Sequence, residues 1–391
     1  MNSKILSGLL ILAIIAISCV TEFNATLPST AADVLVVDGT IRENSTATFY
    51  LSNSFPLNFT SVPAESLNVN ANLYIIDNNG YKSQPATNLG SGAYQIEVGN
   101  LDDNTEYGIQ IEYNGDVYQS ALSKPLRTPE IDSVSWIQPE NAGNVSFRVS
   151  THDDSGESQF FLWSYTENWE FTAYNYVTFF FNPVDTVFYN IYPAPNYYCW
   201  RSNASRNLLI GSTESLSENK IINKQLYDCY PDDSRFTVLY SATVNQQAIS
   251  KAAFEYYQNK IVLNEQMGGL FTPQPSELMG NITCITDPSK KVMGYVETVK
   301  NTTQKRVFVY ANQISRPPGY STCTSITTDS INILFNSDTK DPFVQAYNSG
   351  YRPVDADPFN HPIDWSTVSC TDCTANGGSK NKPDFWPNDD K

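Results

Sequence analysis

The stretch YGIQIEYNGDVYQS, residues 107–120, constrains the fold of this chain more than any other. Ile109, Ile111 and Tyr113 alternate with polar neighbours until Asn114-Gly115 interrupts them. A period of two places alternate side chains on one face of a strand, and Asn-Gly suits the two left-handed positions of a tight hairpin turn. Segments of the same kind precede it: DVLVVDGTI, ATFYLSNS, LNVNANLYIIDNNG and GAYQIEVG. Turn residues separate these runs, and strands recurring at short, regular intervals predict a mainly β chain built of sandwiches. An aromatic content of 13% points the same way, because aromatic side chains suit a pleated surface.

The spacing divides the chain. After residues 19–32, a small and polar tether, a first β-sandwich is expected over residues 33–128, closed near Thr128 by the two prolines of SKPLRTPEIDSV. Within it LDDNTEY, residues 101–107, resembles the approach to the tyrosine corner of immunoglobulin- and fibronectin-like sandwiches, which makes Tyr107 core architecture. A second β-rich domain is expected over residues 129–314. It holds one helix near 250–266, capped by Ser250, with Phe254, Tyr257 and Ile261 on one face and Gly268-Gly269 as its stop. KVMGYVETV and RVFVYANQI read as the paired strands that finish it. Residues 315–391, rich in Pro, Ser and Thr, read as a loop-rich C-terminal tail stapled by disulfides.

The first eighteen residues are those of an export signal: Lys4, an apolar run from Ile5 to Ile17 too short to span a bilayer, then Ser18 before Cys19. Ser18-Cys19 resembles the lipobox of bacterial lipoproteins, in which the cysteine carries the lipid; an ordinary secretory signal is the alternative. With Cys19 set aside, Cys199, Cys229, Cys284, Cys323, Cys370 and Cys373 remain, an even number that in an exported chain reads as disulfides. Cys199 is expected to pair with Cys229 and the last four among themselves. Zinc or redox chemistry at Cys370 and Cys373 is the other reading, but there is no second close ligand pair and no sign of a helix starting inside the motif. The 41 acidic and 24 basic residues give a net charge of −17, which argues against nucleic-acid binding.

Residues 160–200 hold seventeen aromatic side chains. Strands of a buried sheet account for many of them; a partly exposed binding surface is the competing reading. Trp169, Tyr174, Tyr176, Tyr192, Tyr197 and Tyr198 are its candidates, since rings give large contact area at low entropic cost.

LVVDGTI, RTPEIDSV, WEF at Trp169, CW at Cys199, YSATV with AIS, QPSELMGNI with VMGYV, and the final CTDCTANGG with KPDFW occur in that order. The ordered set resembles the Bacteroidota lipoproteins grouped as domain of unknown function 4249, over essentially the whole chain. The resemblance implies a lipid-anchored outer-membrane protein at the cell surface or periplasmic face, and an accessory role beside a TonB-dependent transporter. It carries over no catalytic residue. In that setting Ser133, Thr186 and Ser330, each after Asp and before an aliphatic residue, are candidate O-glycosylation sites.

Nothing in the sequence assembles a catalytic constellation: there is no G-x-S-x-G, H-E-x-x-H or glycine-rich phosphate loop. Asp355, Asp357, His361 and Asp364 lack any recognised metal-ligand spacing and read as a solvated loop. The expectation is a non-catalytic membrane-anchored protein without cofactor, accessory to a transporter or binding a glycan or peptide. A structural or adhesive surface protein is the alternative, and a hydrolase a more distant one.

Overall fold

The computed structural model describes residues 34–55, 63–140, 142–177, 179–190, 194–266, 278, 280–316, 323–335, 341–355 and 364–387. They form a mainly β structure of several largely antiparallel sheets. The expected Asn114-Gly115 hairpin is present: both residues have positive φ, 51° and 82°, and Tyr113 pairs with Asp116 across the turn. The tyrosine corner is present too, with Asp102 N donating to the Tyr107 hydroxyl at 2.9 Å.

Two sheets built largely from residues 35–120 share one hydrophobic core. In the first, Leu35–Arg42 pairs with Ser45–Asn53, which pairs with Ala93–Val98 and then Thr87–Gly90. The second runs Asp116–Ser120, Tyr107–Tyr113 and Ala71–Asp77. Leu35, Phe49, Leu51 and Tyr94 from one sheet meet Leu73, Ile109 and Ile111 from the other, all fully buried or nearly so. Each sheet then gains an edge strand from far along the chain. Ile282–Cys284 adds to Asp116–Ser120, and Val292–Val299 lies parallel to Leu35–Arg42, with Leu35 opposite Val292 and Arg42 opposite Val299.

This corrects the expected pairing of KVMGYVETV with RVFVYANQI. Thr303–Tyr310 pairs instead with Leu239–Ala248 in a different sheet, so the two neighbouring strands part company at Thr302. Packing explains the split. Val292 and Val296 enter the core around Leu35, whereas Val309 enters the core around Phe161.

The second core lies between two further sheets. One runs Lys220–Cys229, Val145–His152, Ile131–Ile137; the other runs Tyr198–Ala204, Phe160–Thr172, Leu239–Ala248, Thr303–Tyr310. Phe160–Thr172 is central, and Leu209–Ser212 also pairs with its first four residues. Its alternate residues Phe161, Trp163, Tyr165, Trp169 and Phe171 are buried against Phe147, Tyr227 and Tyr240. The helix Lys251–Gln266 covers part of the outer face, with Phe254 and Tyr257 packed on Phe160 and Ile249. Ser250 caps it as expected, its Oγ accepting from Ala253 N at 3.1 Å. Gly268 and Gly269 lie outside the described residues.

The C-terminal tail is more regular than a loop-rich reading predicts. Helices Thr328–Leu334 and Pro342–Asn348 and the strand pair Tyr351–Asp355 with Asp364–Thr367 enclose a small core around the fully buried Trp365. Part of that core comes from elsewhere: Phe181 and Phe188, on the hairpin Phe179–Asn182 with Val187–Asn190, pack against Phe343 and Trp365. The tail's elements are too short to bury a core alone, so they order against this hairpin.

Candidate functional site: a tyrosine shelf braced by disulfides

The seventeen aromatic residues divide three ways. Those on Phe160–Thr172 are mostly core, including Trp169, only 9% exposed, so Trp169 is not a surface residue as expected. Phe181 and Phe188 belong to the tail's core. Tyr174, Tyr176, Phe180 and Tyr189 remain at the surface, with Tyr174 61% exposed. Tyr192 lies outside the described residues.

The chain leaves the central strand at Thr172 and returns on Tyr198–Ala204, so the residues between them lie at one end of the sheet. Tyr176 meets Tyr197 edge to face with ring centroids 4.8 Å apart, and Tyr197 meets Tyr198 in the same way at 4.8 Å. Backbone bonds hold this shelf on both sides: Ala173 N donates to Tyr197 O at 2.8 Å, Asn175 N to Cys370 O at 2.9 Å, and Cys373 N to Asn196 O at 3.0 Å. The expected candidates Tyr174, Tyr176, Tyr197 and Tyr198 are therefore brought together, the first two exposed and the last two half-buried.

One disulfide clamps the tail to this end of the sheet and a second staples the tail within itself. Cys199 pairs with Cys373 and Cys323 with Cys370. The C-x-x-C motif is thus a pair of disulfide ends with separate partners, as the structural reading required. The expected Cys199–Cys229 pairing is corrected, for the two residues lie in different sheets: Cys199 is opposite Phe171 and Cys229 opposite Val145. Cys229 and Cys284 are buried free thiols, and burial pushes the Cys229 thiol up to about 12.

Beside the shelf is a cavity of about 240 Å³ lined by Phe180, Tyr197, Tyr347, Arg352 and Asp372. The Arg352 guanidinium lies 3.7 Å from the Tyr347 ring centre and donates to Tyr347 O and Tyr351 O. Asp372 is held by Asn196 Nδ2 at 2.7 Å and by Thr374 N at 2.8 Å. Burial raises the Tyr198 hydroxyl above its ordinary value, so this phenol stays a neutral donor and acceptor at physiological pH. The arrangement offers ring faces, hydroxyls, one cation and one anion. It can stack and hydrogen-bond.

Other sequence candidates are dispersed. His152 Nδ1 meets Asp132 at 2.7 Å on the surface, and the hydrogen bond it donates to that carboxylate raises its pKa. Asp357 and His361 lie outside the described residues, and among the described residues no group of three or more His, Cys, Asp and Glu is placed to hold a metal. Ser133 is half-buried in Ile131–Ile137 and Ser330 half-buried in Thr328–Leu334, while Thr186 is exposed in the hairpin turn before Val187. Cys19 lies outside the described residues. Among those described, no helix is long and apolar enough to cross a membrane.

One cluster escaped the sequence reading. Glu167, 2% exposed, sits on the inward side of the aromatic strand and accepts from Arg235 Nη1, from the Tyr240 hydroxyl at 2.7 Å and from Asn203 Nδ2 at 3.1 Å. Arg235 also pairs with Asp233 at 2.9 Å. A carboxylate in the middle of FFLWSYTENWEFT was the available signal, because a charge is buried only with partners.

The sheets, the disulfide-clamped tail and the tyrosine shelf define a mainly β protein with two disulfides. The family model described as Domain of unknown function (DUF4249) matches residues 20–305, and the chain belongs to that family. No curated protein matches it.

Proposed function

We propose that this protein is a non-catalytic lipoprotein, anchored by lipid at Cys19 to the outer membrane, that docks to a TonB-dependent transporter through the tyrosine shelf. On this reading the two pairs of facing sheets are immunoglobulin/fibronectin-like sandwiches that carry the shelf away from the membrane. The supporting observation is the exposure of Tyr174 and Tyr176 on an edge tied to the tail by the Cys199–Cys373 disulfide and the Asn175 N to Cys370 O hydrogen bond: large rings fixed in place lose little entropy when a partner covers them. A glycan or peptide reaching a transporter would meet the same rings.

The test is a mild-detergent pull-down of the native protein from its own outer membrane, read by mass spectrometry, beside Cys19→Ser and a Tyr174→Ala/Tyr176→Ala double variant. Stoichiometric recovery of one barrel with the native chain, lost in the double variant, is the expected result. Recovery of the native chain alone would remove the transporter from the reading, and a Cys19→Ser chain that stayed on the membrane would remove the anchor.

A further inference from the structure

Toward the start of the strand Phe160–Thr172, away from the shelf that follows its end, two cavities of about 360 and 530 Å³ share Leu162, Arg206, Asn207 and Leu208, so they form one trough. It runs along the outer face of the aromatic strand between the first sheet and the helix Lys251–Gln266. Arg42 borders the first cavity only, Lys260 the second only, and Arg206 both. The three cations are therefore strung along the trough, not gathered at one point.

Several lysines and arginines have carboxylate partners: Lys82 with Glu112, Arg235 with Glu167, Lys251 with Glu214, Lys290 with Asp116, Lys300 with Glu43. Arg42, Arg206 and Lys260 have none among the described residues; Arg42 donates only to Thr302 Oγ1, at 3.3 Å. Among the described residues Asp38 is the single carboxylate on the trough wall. In a chain of net charge −17, a row of unpaired cations runs against the composition and marks a surface suited to a negative ligand.

The walls between the cations narrow its chemistry. Asn207, Asn245 and Gln247 present amides, each able to donate and accept as sugar hydroxyls require. Leu162 and the Tyr257 ring add the apolar surface on which a sugar's C–H face packs. One small anion would need convergent donors, whereas a row of separated charges matches a ligand with repeated charges.

We propose that this trough binds an anionic oligosaccharide, its acidic groups on Arg42, Arg206 and Lys260 and its hydroxyls on the intervening amides. The site is separate from the tyrosine shelf and does not depend on the transporter reading. Isothermal titration calorimetry of the detergent-solubilised full chain, with tetragalacturonate, its methyl ester, maltotetraose and a chondroitin sulfate tetrasaccharide, tests it. At least one of the two acidic sugars should bind, with binding weakened about tenfold or more by esterification or by Arg206→Ala/Lys260→Ala and weakened by added salt. Tyr174→Ala/Tyr176→Ala should leave it unchanged, and circular dichroism checks that each variant is folded. Arg206→Gln serves if the double variant is not. Failure of both acidic sugars, equal binding of the ester or maltotetraose, or affinity surviving the loss of the two cations in a folded variant would overturn the proposal.

Discussion

Glu167 and Glu297 are both buried carboxylates, and their surroundings give them opposite roles. Glu167 accepts a cation and two neutral donors, so its charge is matched. Removing it leaves Arg235 with Asp233 alone and the Tyr240 hydroxyl with Tyr227 alone, and breaking such a buried pair costs about 3–5 kcal/mol. Glu167→Ala is expected to lower stability by that amount in urea unfolding, with Glu167→Leu/Arg235→Met milder because the one charge then left without its partner, Asp233, is partly open to solvent. Glu297, 3% exposed, has no cation; Ser250 Oγ and Ser250 N donate to it at 2.6 and 3.3 Å. Burial lifts its carboxyl from 4.5 to about 7. The folded state thus holds a proton that the unfolded chain releases at a lower pH. The stability this confers is complete below about 4.5 and is lost as pH rises through about 7. Glu297→Gln should flatten the profile and raise stability at pH 8 by about 3 kcal/mol, compared by urea unfolding at pH 5 and 8.

At the scale of elements, two glycines fix how the late strand reaches the first sheet. Gly294 has φ +137°, and a Cβ there would overlap the carbonyl of Val37 on the neighbouring strand. A Cβ on Gly280 would overlap Gly294 itself. Gly294→Ala is expected to cost about 2 kcal/mol or more, seen as a lower thermal midpoint and faster hydrogen exchange in Leu35–Arg42. Both glycines fall in the Met-Gly pairs of LMGNI and VMGYV, so the sequence displayed the motif without its reason. The same limit recurs elsewhere. Asn114-Gly115, the Tyr107 corner and the Ser250 cap were legible because each acts within a few residues of itself. The disulfide partners, the burial of Trp169 and the trough were not, because each joins segments far apart in the chain. Near the C-terminus, Trp386, 4% exposed, donates its indole N–H to Glu170 at 3.0 Å and lies edge-on to Phe308, so one ring ties the chain's end to the aromatic sheet.

For the molecule as a whole, the order of strands in space departs from the order in the chain. The proline-marked boundary near Thr128 is a crossing point: Thr128 Oγ1 donates to Asn301 O at 2.6 Å and accepts from Ala248 N at 3.0 Å, and Leu126 N donates to Thr298 O at 2.9 Å. Residues 34–128 produced alone would lack Ile282–Cys284 and Val292–Val299 and so leave two sheet edges bare. Such a fragment is expected to show no cooperative thermal transition by circular dichroism, whereas residues 34–316 should unfold in one. A ribosome makes this chain from the other end, and Leu35–Arg42 emerges long before its parallel neighbour exists. During that interval its open edge is a template for pairing with any other chain. The late strand therefore sets a timetable: one edge of Leu35–Arg42 stays uncovered until Val292–Val299 has been made to close it.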